Sequence, residues 1–300
     1  MVLRQRKLLL ALVGTACALV LAGAASTQTW SVSITSNLFT PATVNAKVGD
    51  AITWKNNDTV NHAVVSAQAG IAQQTLAPGA TYSFTFTKTG NFQVSDPLAK
   101  KKNTRMSVRV EAAPLTVALT GPTTAVVYGN QARLSGTVSS QQANEQVTIL
   151  AKACGSATAT KLATVATTTG GAYAALVKPL KNTLYTAQAK TATSPGATVL
   201  AKPRLTLTKP AKGRYALAVR GAISFSGRAV VLQRWNATLK KWVNIKSTLL
   251  VKGAPATAPT IISKATFRAV VRARTRLRVS ISQFQAGSCY RPSVSNVVLA

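Results

Sequence analysis

After Glu145 this chain contains no acidic residue, although 24 of its lysines and arginines follow that point. Over the whole chain, 36 basic residues stand against five acids, Asp50, Asp58, Asp96, Glu111 and Glu145, for a formal net charge of +31. The second half therefore cannot form one internal side-chain ion pair. Its stability has to come from apolar packing and backbone hydrogen bonds, and its charge is left to water, counterions or an anionic partner. With only two glutamates in the chain, long amphipathic helices are disfavoured. Thr, Ser, Ala and Val dominate, and β-branched residues at that density suit half-buried strands. Because 47% of the residues are hydrophobic, the chain has the material for packed cores. The fold class expected is all-β, and 300 residues suit two or three domains.

The first residues read as a targeting segment. Arg4, Arg6 and Lys7 precede an apolar stretch from Leu8 to Leu21, and Ala22-Gly23-Ala24 supplies a small-x-small cleavage pattern. A cleaved export signal over 1–26 is expected, with secretion and an extracellular, surface-associated location. An uncleaved anchor and a lipoprotein on Cys17 are the rival readings. Removal of 1–26 takes three basic residues and leaves 33 against five acids, a net +28. No second apolar stretch of spanning length follows. Cys154 and Cys289 remain, and an even pair in an oxidising compartment is a candidate disulfide, with two separate thiols as the alternative.

Turn signals punctuate short alternating runs. Trp30 to Ile34, Ala51 to Lys55, Tyr82 to Phe86, Phe92 to Val94 and Met106 to Val110 alternate as strands do. Val48-Gly49-Asp50, Asn56-Asn57-Asp58, Ala77-Pro78-Gly79 and Thr89-Gly90-Asn91 break them. This spacing predicts a β-sandwich up to the linker at Glu111 to Pro114. Two further units, 113–202 and 203–300, look like repeats of one another. Tyr173 to Tyr185 parallels Phe267 to Leu277, and Gln146 to Lys152 parallels Ala229 to Arg234. A period of about 90 residues suits tandem sandwiches rather than a solenoid.

Taken together, the Gly49-Asp50 turn, the Trp54 strand, Asn56-Asn57-Asp58, Asn61-His62, Pro78-Gly79 and Gly90-Asn91-Phe92 resemble the plastocyanin and amicyanin branch of the cupredoxins over residues 27–112. That resemblance implies a copper site, with a first His at His62 and a Cys, a second His and a Met from one later loop. It would put the Cys near Asp96 and the second His near Ala99, where the sequence reads Ser95-Asp96-Pro97-Leu98-Ala99-Lys100-Lys101-Lys102. Met106 falls about two residues late for the Met, and His62 is the only histidine. A blue copper centre needs a thiolate and two imidazoles. The expectation is thus a degenerate site, no bound metal, and His62 as a vestigial ligand. The two later units resemble the immunoglobulin-like repeats of exported bacterial proteins, which share no active site.

Enzyme chemistry lacks its parts: one imidazole, no nucleophile elbow and no paired carboxylates. The basic residues Arg268, Arg272, Arg274, Arg276 and Arg278 form the candidate polyanion site. If Arg272 to Arg278 is one strand, four guanidinium groups share a face. If a turn falls at Ala273 to Arg276, they gather at a hairpin tip. Arginine suits bidentate contact with carboxylate or phosphate. A solvated face that keeps edge strands apart is the plainer reading. Anionic cell-wall or extracellular polymers are the expected partners. Specific nucleic-acid recognition is not expected, since no binding motif accompanies the charge. A copper-binding protein of electron transfer or metal handling is the alternative function.

Overall fold

The computed structural model describes residues 27–101 and 104–300. The expected export signal lies outside the described residues. Among the described residues no helix is long and apolar enough to cross a membrane. The chain divides into two compact units, up to Ala113 and from Pro114 onward. Both are built almost entirely of strands.

The first unit contains β1 (Thr29–Thr35), β2 (Leu38–Thr40), β3 (Thr43–Lys47), β4 (Ala51–Asn56), β5 (His62–Ser66), β6 (Ile71–Leu76), β7 (Thr81–Thr85), β8 (Gly90–Ser95) and β9 (Arg105–Glu111). They form two sheets, β2-β1-β4-β7 and β3-β9-β8-β5-β6. Residues two apart on a strand share a face, so one face of each sheet is apolar. Val32 and Ile34, Ile52 and Trp54, and Met106, Val108 and Val110 all point into a single core. Burying each large apolar side chain contributes about 1.5–3 kcal/mol. Gly49, at φ +99°, makes the turn into β4. The turn is held by Asp50, whose carboxylate accepts from the backbone N–H of Gln28 (2.8 Å) and Lys47 (2.9 Å) and from Trp30 Nε1 (3.3 Å).

The second unit carries β10 (Val117–Thr120), β11 (Val126–Val127), β12 (Ala132–Val138), β13 (Gln146–Ala153), β14 (Thr160–Ala166), β15 (Ala172–Val177), β16 (Thr183–Ala189), β17 (Ala192–Thr193), β18 (Ala197–Val199) and β19 (Ala201–Lys202). It continues with β20 (Arg204–Ala211), β21 (Arg214–Gly221), β22 (Ala229–Asn236), β23 (Lys241–Leu249), β24 (Val251–Lys252), β25 (Ile261–Arg268), β26 (Arg276–Ile281), a one-turn helix α1 (Gln283–Ala286), β27 (Ser293–Val294) and β28 (Val298–Leu299). Sheet β10-β12-β15 has its counterpart in β20-β21-β25. Sheet β14-β13-β16, with β17 and β18 both on β16, has its counterpart in β23-β22-β26, with β27 and β28 both on β26. The same strand order thus occurs twice, and each copy has its own core, one around Leu134, Ile149 and Ala187 and one around Leu217, Leu232 and Val279. In the first copy β12 lies so close to Ala118 that only glycine fits at position 136. A Cβ there would stand 1.9 Å from the Ala118 carbonyl, beneath the Tyr173 hydroxyl that donates to that carbonyl at 2.5 Å.

The two copies are joined tightly. Cys154 and Cys289 form a disulfide with Cα atoms 5.4 Å apart, across 135 residues of sequence. Asn182 stands beside it, its backbone N–H donating to Cys289 O (2.9 Å), its Nδ2 to Ser288 O (3.0 Å), and its Oδ1 accepting from Ala201 N (2.8 Å). The Tyr290 hydroxyl donates to Leu180 O at 2.5 Å and accepts from Ala222 N, and burial pushes its pKa up to about 12. Short parallel pairing of β11 with β19 and the Arg204 guanidinium on Tyr128 O and Asn130 Oδ1 complete the joint.

Candidate functional site

His62 opens β5, and its side chain is fully buried. What surrounds it follows from two loops. The first is organised by Asn56, a buried amide at the end of β4. Its Nδ2 donates to Val60 O (2.8 Å) and Leu76 O (2.9 Å), and its Oδ1 accepts from Asp58 N (2.9 Å). This folds Asn57 to Asn61 back over the end of the sheet and turns Asp58 toward the imidazole. Asp58 Oδ2 lies 3.2 Å from His62 Nε2. The Thr59 backbone N–H, with His62 next, holds the Asp58 carboxyl below its usual pKa.

The second loop follows β8. Asp96, fully buried, places Oδ2 2.5 Å from His62 Nδ1, while its Oδ1 accepts from Ala63 N (2.8 Å) and Leu98 N (3.0 Å). Both imidazole nitrogens therefore face carboxylates. Carboxylate oxygens only accept, so both contacts are complete when both ring nitrogens carry hydrogen, as in the imidazolium. Asp96 is the residue that the cupredoxin resemblance puts in the cysteine's place. On that resemblance, a carboxylate that pairs with the histidine takes the position of a thiolate that would share a metal with it.

The residues present do not fit a blue copper centre. The donor set around His62 is two hard carboxylates with no sulfur, and soft sulfur is what that site requires. Met106, the other candidate, is buried in the core with its sulfur 3.1 Å from Trp54 Nε1, which donates to it. Among the described residues no group of three or more His, Cys, Asp or Glu has a metal-holding arrangement.

The basic candidates fall into three settings. Arg268 ends β25, directly opposite Arg214 on β21, and both are exposed. Arg272 and Arg274 lie in the turn between β25 and β26. Thr275 donates to Arg272 O through its backbone N–H (3.2 Å) and its hydroxyl (2.6 Å), and Arg274 takes a left-handed φ of +62°. Arg276 and Arg278 begin β26 and point outward, away from Leu277 and Val279. The single-strand arrangement of Arg272 to Arg278 is thereby corrected, because the Thr275 bonds and the left-handed Arg274 break the strand. The hairpin-tip arrangement needs correction too: β25 and β26 pair in different sheets, so the turn is a crossing between sheets.

On the outer face of β23-β22-β26 the last two arginines meet aromatic rings that the reading of the basic run left out. Arg278 stacks over Trp242 at 4.2 Å from the ring centroid, and Arg276 lies 5.6 Å from Trp235 and 6.0 Å from Trp242. The two indoles are direct cross-strand partners, 5.5 Å apart at 63°. Their places on either side of the Asn236 to Lys241 turn are the sequence signal that could have paired them. Arg278 Nε donates to Gln233 Oε1 (2.9 Å), and Gln233 Nε2 donates to Asn244 Oδ1 (2.9 Å). Burial pulls the Arg278 pKa down from its usual value.

Residues 8–108 match the cupredoxin-like domain family, about a third of the chain. Among solved structures, a purple cupredoxin from Nitrosopumilus maritimus is 18% identical over 27% of this chain and 99% of that one, with a TM-score of 0.25. A mutant amicyanin in its reduced state is 26% identical over 28% and 82%, with a TM-score of 0.26. An oxidised mutant amicyanin is 27% identical over 27% and 81%, with a TM-score of 0.25. The comparison with curated proteins finds no match. The strand pattern, the two facing sheets and the family match agree, and the N-terminal region of this chain is a cupredoxin-like domain.

Proposed function

We propose that the chain is an exported, non-enzymatic interaction protein whose basic second unit binds anionic cell-wall or extracellular polymers. The observation that carries this reading is uncompensated charge on an ordered scaffold. No carboxylate side chain follows Glu145, and the five arginines from Arg268 to Arg278 lie on and around one inter-sheet turn, with Arg268 facing Arg214 across the strands. Like charges placed directly opposite are destabilising, and an anionic polymer relieves them. The duplicated strand order supports reading the second unit as two immunoglobulin-like spacers, and the disulfide joint makes them a stiff pair. The non-enzymatic part rests on His62, the only imidazole, whose two nitrogens both face carboxylates and so are not free to serve a nucleophile.

The test is retention of the protein on an immobilised acidic polysaccharide over a salt series. Binding that releases many counterions weakens steeply with salt. Retention that ignores salt, or no retention at physiological salt, overturns the reading.

A copper-holding function is the second reading, favoured by the cupredoxin-like fold and by His62 in the position of that family's first ligand. Calorimetric titration with copper(II) separates the two. The His62–Asp96 pairing predicts no saturable binding that depends on His62, whereas tight one-to-one binding abolished by His62→Ala makes the first unit a metal carrier.

A further inference from the structure

The outer face of β23-β22-β26 differs from a merely solvated basic surface in one chemical respect: its two side-chain amide oxygens each already accept a hydrogen bond from within the face. Gln233 Oε1 is held by Arg278, and Asn244 Oδ1 is held by Gln233. What the face offers outward is a set of donors: the Arg276 guanidinium, the terminal nitrogens of Arg278 and the Asn244 amide N–H groups. A guanidinium stacked on an indole keeps its planar N–H edge free while its orientation is fixed, and bidentate recognition of a carboxylate needs that geometry. Arg276 and Arg278, two apart on one strand, project to the same side about 7 Å apart. Residue Gln233 lies opposite both Arg278 and Asn244 in the registers of β26 and β23, so the donor row runs straight across three strands.

We propose that this face, built from Arg276, Arg278, Trp235, Trp242, Gln233 and Asn244, is the site that takes the carboxylate groups of an acidic polysaccharide. The inference rests on the polyanion reading above and narrows it to one surface and one ligand class. Charge complementarity supplies the attraction, since no acidic side chain follows Glu145 to compete for these arginines. The sugar hydroxyls suit the amide donor beside them. Single-stranded nucleic acid fits less well, because it uses open aromatic faces for base stacking. Here the indoles already pack against guanidinium groups and against each other.

The experiment measures affinity of the full chain for polygalacturonate at fixed salt, with its methyl ester, polyphosphate and duplex DNA as comparison ligands. The Arg276→Gln/Arg278→Gln variant is compared with Lys252→Gln/Lys264→Gln, which removes the same charge from the other sheet. Thermal melts confirm that both variants fold. Losing two charge-assisted contacts should weaken polygalacturonate binding about a hundredfold. The lysine variant should weaken it only a few-fold, and the neutral ester should not bind. Polygalacturonate should also change the tryptophan emission of the parent protein, and Trp235→Phe/Trp242→Phe should lose that change. Equal losses in the two charge variants overturn the proposed face while leaving general polyanion binding intact. Tighter binding of DNA or polyphosphate through Arg276 and Arg278 overturns the ligand class. No binding of the parent protein to any polyanion overturns both this inference and the reading beneath it.

Discussion

The first unit and the last sandwich of the second unit treat charge in opposite ways. In the first unit Asp50 closes a turn through three donors, Asp58 ties a loop to His62, and buried Asp96 holds the same imidazole from the other side. The last sandwich has no acid at all. Its arginines face one another, as Arg214 and Arg268 do, rest on tryptophan rings, or donate to neutral oxygens, as Arg204 and Arg228 do. The first unit gives its acids partners within its own fold, although its eight basic residues still outnumber its four acids, and the last sandwich leaves its whole charge to whatever lies outside. The same strand geometry serves both, so the difference lies in side-chain chemistry and not in architecture.

The comparison breaks first, if it breaks, at Asp96. Leaving one member of a fully buried hydrogen-bonded pair without its partner costs about 1–3 kcal/mol, and more when the group is charged. Asp96→Asn keeps the shape and removes the charge, so a loss within that range is expected. The measurement is urea unfolding followed by tryptophan emission in a Trp235→Phe/Trp242→Phe background, which leaves only the first unit's Trp30 and Trp54 to report. The double variant His62→Leu/Asp96→Asn, which keeps an acceptor for the Ala63 and Leu98 N–H groups, should recover part of the loss, because it leaves no imidazole in need of a buried partner. A cost below about 1 kcal/mol for the single variant would mean that the first unit does not depend on its acids.

Acid pH sharpens the contrast. Asp58 is held below its usual pKa by the Thr59 N–H and by His62. At Asp50 burial pushes the carboxyl up, but the Gln28 and Lys47 N–H groups and Trp30 outweigh it and the net shift is downward. A carboxyl with a lowered folded pKa stabilises the fold above its unfolded value, near 4, and that stability is lost as pH falls through the folded value. The first unit should therefore lose stability below about pH 4. In the second unit the only side-chain carboxylate is Glu145, lowered by its hydrogen bonds from Lys190 and Ser140. Acid titrations of Glu145→Gln, with Trp30→Phe/Trp54→Phe to silence the first unit's tryptophans, should leave the second unit's emission flat over that range. A parallel drop in both units would erase the distinction.

Much of the first unit was legible because its signals are local. Gly49-Asp50, Pro78-Gly79 and the alternation around Trp54 and Val108 each specify a turn or a strand without help from distant residues. Asp96, in a stretch with neither Cys nor a second His, was equally readable by position. Its contact with His62 was not, because 34 residues separate them and only the fold sets the distance. In the basic run, alternation allowed two arrangements. The Thr275 hydroxyl on Arg272 O and the left-handed Arg274 decide between them, and both are matters of backbone conformation. The platform under Arg276 and Arg278 depends on a strand more than 30 residues earlier, and a reading confined to the arginines could not reach it.

The smallest expected effect is the most direct test of the charge contrast. Arg268→Glu places the first carboxylate in the last sandwich, opposite Arg214 on β21. It turns a cross-strand repulsion into an attraction, a change of about 0.5–1 kcal/mol for exposed strand partners. The variant should melt slightly higher than the parent at low salt, and the gain should shrink as salt screens both proteins. It should also bind acidic polysaccharide less tightly, since it lowers the charge beside the arginine turn by two. Stability and binding would then move in opposite directions from one substitution, as expected if the fold tolerates its repulsions for the sake of an external anion. If Arg268→Glu leaves low-salt stability unchanged, solvent alone neutralises these arginines. The last sandwich would then carry no internal strain for a polymer to relieve, and its affinity would have to come from the ordered contacts of the Trp235 and Trp242 face.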